Sequence, residues 1–120
     1  MSKGFTTPQN PVRELSASDI TQTALALLKL QRVTAWRQNN LTVRRRKGIV
    51  TKGVGDILGY TNNGQARFVG CEVKKIGDTL SKEQIEWLSS LSKSGGYALI
   101  ATQVKNQVEL IPFEEYMKKI

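Results

Sequence analysis

Three residues of the 120-residue chain, Asp56, Glu72 and Lys74, have types and spacing that could do chemistry together. Asp56 opens the run Asp56-Ile57-Leu58-Gly59-Tyr60, which reads as a short strand closed by the turn signal Thr61-Asn62-Asn63-Gly64. Glu72 and Lys74 lie in the returning run, Ala66 to Lys75, so a hairpin brings all three to one spot. The two-residue period of a strand puts Glu72 and Lys74 on one face with Phe68 and Gly70, and Val69, Cys71 and Val73 on the other. Two carboxylates a few ångströms apart repel each other, and one pKa rises unless a divalent cation neutralises them. A bound cation lowers the pKa of a water ligand and stabilises negative charge building on a phosphate, while a nearby ammonium helps hold the phosphate and the nucleophile. Phosphodiester hydrolysis uses those parts. An acid two positions before a lysine is also what a solvated charge ladder on an exposed strand looks like, so the pair alone decides nothing.

Absences narrow the chemistry. The chain has no histidine and one cysteine, Cys71, which excludes histidine general-base catalysis, a zinc site of Cys and His ligands, and an internal disulfide. Cys71 alternates away from Glu72, as a buried core thiol would. Any metal is expected on carboxylate, carbonyl and water oxygens, the ligand set that suits Mg²⁺ or Mn²⁺. The formal charge of +8 is uneven: no acid lies between Asp19 and Asp56, where Lys29, Arg32, Arg37, Arg44, Arg45, Arg46, Lys47 and Lys52 all fall. Such a stripe suits a polyanion, and nucleic acid is the commonest one for a basic domain; its bland alternative is a surface that only aids solubility. Gly53, Gly55 and Gly59 do not fit G-x-G-x-x-G, which argues against a nucleotide-binding loop. No run approaches the roughly 20 apolar residues of a membrane helix, and the segment MSKGFTTPQNP lacks the apolar stretch of a secretory signal. No membrane association is expected, and a cytoplasmic location follows by default.

The elements that must position these residues can be read around them. Residues 1–15 read as a flexible lead-in and 16–120 as one domain, a size that buries a core without staples. Ser16, with Asp19 three residues later, resembles a capping box, and Ile20, Ala24, Leu27 and Leu28 form one face of a helix to about Gln31. Val33 to Asn39 alternates as a strand, and Leu41 to Lys47 reads as a second strand or a basic loop. Ser81 caps a second helix with Gln84 at its third position; Ile85, Leu88 and Leu91 give it an apolar face, and Gly95-Gly96 ends it. Tyr97 to Thr102 and Val108 to Ile111 read as strands, and Phe113 to Lys119 as a short terminal helix. The fold class is α/β, a mixed central sheet flanked by helices.

Five blocks in order resemble the VRR-NUC family, part of the PD-(D/E)xK nuclease superfamily, over about residues 16–104. They are Trp36-Arg37-Gln38-Asn39, the run from Lys52 to Gly59, the run from Phe68 to Lys75, the run from Gly77 to Gln84, and Gly95-Gly96-Tyr97-Ala98. The resemblance, to the small stand-alone bacterial or phage type, implies a restriction-endonuclease-like core. It implies a metal site with Asp56 and Glu72 as carboxylate ligands, the Val73 carbonyl as a further ligand and Lys74 as the catalytic lysine. It places Arg37, Asn39 and Gln84 near the site, although Gln84 equally serves as a capping residue. Arg44, Arg45, Arg46, Lys47, Lys52 and Lys75 are the expected DNA contacts. The activity implied is a Mg²⁺- or Mn²⁺-dependent, structure-selective endodeoxyribonuclease acting on branched DNA, including Holliday junctions, as a homodimer. Two departures stand out: Gly55 replaces the usual proline before the aspartate, and the register of the first-helix glutamate falls on Ala17, with Glu14 and Asp19 the nearby acids. The second keeps open a rival reading, a non-catalytic DNA-binding module on the same fold.

Overall fold

In the computed structural model, which describes residues 12–38 and 53–119, three helices and five strands follow one another as the hydrophobic periods suggest. They are α1 (Ala17–Leu30), β1 (Val33–Arg37), β2 (Ile57–Thr61), β3 (Phe68–Lys74), α2 (Lys82–Lys93), β4 (Tyr97–Val104), β5 (Gln107–Pro112) and α3 (Phe113–Lys118). The expected second strand or loop at Leu41–Lys47 lies outside the described residues, as does the lead-in up to Pro11.

The strands form one sheet in the order β1-β2-β3-β4-β5. All neighbours are antiparallel except β3 and β4, which run parallel. A parallel pair needs a crossover, and α2 supplies it. The helix starts on a complete capping box: the Ser81 hydroxyl accepts from Gln84 N–H at 3.1 Å, and the Gln84 amide oxygen accepts from Ser81 N–H at 2.8 Å. It ends at Gly95, whose φ of +97° suits glycine, while Gly96 N–H reaches back to the Leu91 carbonyl at 3.0 Å.

Each face of the sheet carries its own core. Ile20, Ala24 and Leu28 of α1 pack on Ile57, Val69, Cys71, Val73 and Ala101, the residues that alternation assigns to that side. On the opposite face Leu88 of α2 and Phe113 of α3 pack on Ala98 and Ile100. The fit of α2 depends on Gly70, because a Cβ there would sit 2.4 Å from the Trp87 ring and 2.7 Å from Leu91 Cδ2. With both faces of β3 covered, Val69 through Val73 are all buried, although only alternate residues are apolar enough to ask for it. Among the described residues no helix is long and apolar enough to cross a membrane.

Candidate active site

The hairpin of β2 and β3 does bring the two carboxylates together, with one refinement. Asp56 lies just before β2 rather than inside it. Its carbonyl still accepts Gln38 N–H at 2.7 Å, which continues the pairing with β1, but toward β3 the side chain takes over from the backbone: Asp56 Oδ2 accepts Val73 N–H at 2.9 Å. The register Ile57 opposite Cys71 sets Asp56 across from Glu72. In an extended strand the N–H and C=O of one residue point the same way. The Val73 carbonyl is therefore on the same strand edge as its N–H, facing the gap that opens where β2 begins. Asp56, Glu72 and Val73 line one cleft of about 290 Å³ with Arg37 and Gln38 from the end of β1 and Ala17 and Thr21 from the first turns of α1.

Glu72 is the unusual group. Only 3 % of it is exposed, and its two carboxylate oxygens are treated differently. Oε2 accepts from Gln84 Nε2 at 2.8 Å and lies 3.9 Å from Lys74 Nζ. Oε1 is buried and has no hydrogen-bond partner among the described residues. Leaving a buried acceptor unsatisfied costs on the order of 1–3 kcal/mol, and more when it is charged. Burial first, and then the Asp56 carboxylate, push the Glu72 pKa up to about 9 from 4.5, against the opposing pull of Lys74. At neutral pH the pair therefore holds a proton, or else a cation takes the proton's place.

The donor set fits a hard divalent cation: two carboxylates, one of them with an orphaned buried oxygen, and a strand-edge carbonyl, with no soft ligand available. It is lean, since no cluster of three His, Cys, Asp or Glu residues exists among the described residues. At the cleft α1 presents Ala17 and Thr21, while Glu14 and Asp19 are exposed and do not line it. Cys71 is no ligand either: it is fully buried in the α1-side core, and burial pushes its thiol far up.

Gln84 makes both contacts at once, its oxygen closing the capping box and its nitrogen donating to Glu72 Oε2. Arg37 lines the cleft as expected. Lys75 follows β3 as an exposed residue whose N–H bonds Asp78 Oδ2 at 3.2 Å. Asn39, Arg44, Arg45, Arg46, Lys47 and Lys52 lie outside the described residues. Thr21 and Gln38 escaped the sequence reading. Thr21, whose hydroxyl donates to the Ala17 carbonyl at 2.7 Å, stands one helical turn beyond Ala17, a spacing that could have flagged it. A roomier cleft of about 310 Å³, between Leu28, Val33, Thr61 and Tyr97, contains no carboxylate, so donor chemistry rather than size selects the site.

Comparison with known proteins bears on the family and the fold. The model of the VRR-NUC domain matches residues 8–105. No curated protein matches the chain in sequence. Among solved structures, Hjc from Archaeoglobus fulgidus, a Holliday junction resolvase from an archaeal hyperthermophile, superposes with a TM-score of 0.54 at 16 % identity, over 81 % of this chain and 77 % of that one. The likeness extends the restriction-endonuclease-like reading to the fold as a whole.

Proposed function

The chain belongs to the VRR-NUC family of nuclease domains, and from that premise we propose that it is a divalent-metal-dependent endodeoxyribonuclease with Asp56, Glu72 and Lys74 as its catalytic core. The observation that carries this reading is the buried, partnerless Oε1 of Glu72 across from Asp56. A group so costly to bury is most simply explained by a cation it exists to bind.

Asp56, Glu72 and the Val73 carbonyl would hold the ion, with Mg²⁺ or Mn²⁺ the candidates for such oxygens. Once bound, the cation supplies Lewis acidity, activating water and offsetting charge on the phosphate. The residues around it do the positioning. Val73 N–H fixes the Asp56 carboxylate, and Gln84 fixes Glu72, so neither ligand swings when substrate arrives. Lys74, partly buried beside Glu72, presents its ammonium to the scissile phosphate and to the attacking water, where it stabilises the transition state more than the ground state. Arg37, at the cleft rim, is placed to hold a neighbouring phosphate. Arg44, Arg45, Arg46, Lys47, Lys52 and Lys75 contribute sequence-independent affinity for the backbone.

The substrate we favour is branched DNA. A domain of residues 16–120 offers one site, whereas resolving a four-way junction takes two symmetric cuts, so a two-fold homodimer matches the task. One solved structure of similar fold is that of a Holliday junction resolvase, which agrees with this choice. Ala17 at the cleft favours a second reading, a module that binds DNA without cutting it. A cleavage assay on duplex, single-stranded, flap and four-way-junction DNA, with Mg²⁺, Mn²⁺ or chelator, separates the two. Metal-dependent cuts lost in Lys74→Ala support the nuclease, and binding without cleavage supports the module.

A further inference from the structure

On the α2 side of the sheet, β3 and β4 are roofed by α2, but among the described residues no helix covers β1 and β2. The exposed ground there is aromatic: Trp36, Tyr60 and Phe68 are 44, 41 and 42 % exposed. Register puts them on one face. Trp36 pairs with Leu58, which pairs with Gly70, and Thr34 pairs with Tyr60, which pairs with Phe68. Trp36 and Tyr60 meet edge to face with ring centroids 6.4 Å apart. The same register continues downward to Gln38, Asp56 and Glu72. The aromatic rows therefore begin one pleat from the carboxylates, about 6.7 Å along the strands. Trp87 covers Gly70 and packs into the α2-side core, off the exposed face.

We infer that this face is a stacking platform for unpaired nucleotide bases next to the scissile phosphate, Trp36 receiving the first base and Tyr60 the next. The inference rests on the nuclease reading and specifies its substrate class. A phosphodiester held at Asp56 and Glu72 carries a nucleotide on each side, and a neighbour one pleat away meets Trp36. In a duplex each base is already stacked and paired, so only a strand with unpaired bases, such as a flap or an open junction centre, presents a ring to an exposed aromatic. The chain's charge of +8 favours a polyanion as the occupant.

The test is run in chelator, so that binding is read without cleavage, on oligonucleotides matched in length. A single-stranded oligonucleotide is expected to quench tryptophan fluorescence in the wild type and not in Trp36→Phe, leaving Trp87 as the unaffected emitter. The double variant Trp36→Ala/Tyr60→Ala should bind single-stranded and flap DNA at least about five-fold more weakly, the lower end of what losing one stacked base costs. Its affinity for an abasic strand of equal charge and for plain duplex should be unchanged, and Trp36→Phe should restore most of the loss. Equal weakening toward the abasic strand, or no weakening at all, overturns the platform. So does a double variant that light scattering shows to have changed from dimer to monomer, because the face would then belong to a second copy. Cleavage in Mg²⁺ is measured separately: its absence in the wild type would count against the nuclease reading, while base-dependent quenching would stand or fall on its own.

Discussion

Replacing Glu72 by Gln should stabilise the metal-free protein at neutral and alkaline pH, although it removes one of the two carboxylates of the proposed metal site. The folded state raises the Glu72 pKa to about 9 from 4.5, so it binds the proton more tightly than the unfolded chain does. Stability from this group is fully present below about pH 4.5, falls as pH rises, and is lost once the pH passes about 9. At roughly 1.4 kcal/mol per pH unit, the cost accumulated by pH 7 is about 3 kcal/mol. Gln at this position carries no charge to bury, and its amide oxygen still accepts from Gln84. Each kcal/mol shifts the melting temperature by roughly 3–6 °C for a domain of this size, so the variant should melt roughly 9–18 °C higher at pH 7 in chelator. The two proteins should converge near pH 4.5. The assay is a set of thermal melts of both proteins from pH 4 to 9 in chelator, repeated with millimolar Mg²⁺, which should raise the wild type alone. A difference that does not grow with pH, or a variant less stable than the wild type at pH 8, would refute the account of Glu72 as a buried carboxylate awaiting a cation.

Lys74→Ala should abolish cleavage while DNA affinity, measured by anisotropy, stays nearly intact, since one charge among 18 Lys and Arg contributes little. Asp56→Asn should weaken Mg²⁺ binding in calorimetry; unchanged affinity would remove Asp56 from the ligand set. Gly70→Ala should destabilise by roughly 1–3 kcal/mol in chemical denaturation, because the new methyl collides with Trp87 and Leu91 and forces α2 outward. Neutralising Arg44, Arg45 and Arg46 together should weaken binding to all sequences alike and flatten the salt dependence by a slope of about 0.9 for each phosphate no longer neutralised.

The legible parts of this chain were those dictated by period and punctuation. Ser81 with Gln84, the Asn63-Gly64 turn and the apolar spacing of α1 fix elements within a residue or two of their observed bounds. Alternation along β3 was enough to set Glu72 beside Lys74 and to send Cys71 to the opposite core. What sequence did not disclose depends on three-dimensional closure. That Asp56 would leave the strand and bond Val73 N–H follows from where β2 stops, and that Gln84 would reach Glu72 follows from how α2 seats on Gly70. Thr21 and Gln38 carry no chemistry that marks them along the chain; they matter because α1 and β1 end at the same cleft. The aromatic rows were visible only as scattered residues until the register aligned Trp36, Tyr60 and Phe68 on one uncovered face.

The most direct test of the central claim is cleavage of a labelled four-way junction by purified wild-type protein, Glu72→Gln and Lys74→Ala, with Mg²⁺, with Mn²⁺ and with chelator. The wild type should make paired cuts in at least one of the two metals and none in chelator, and neither variant should cut, with junction binding retained by all three proteins. Binding without cleavage of the junction or of any flap, duplex or single strand in either metal would contradict the claim, and would leave a DNA-binding module built on a nuclease fold.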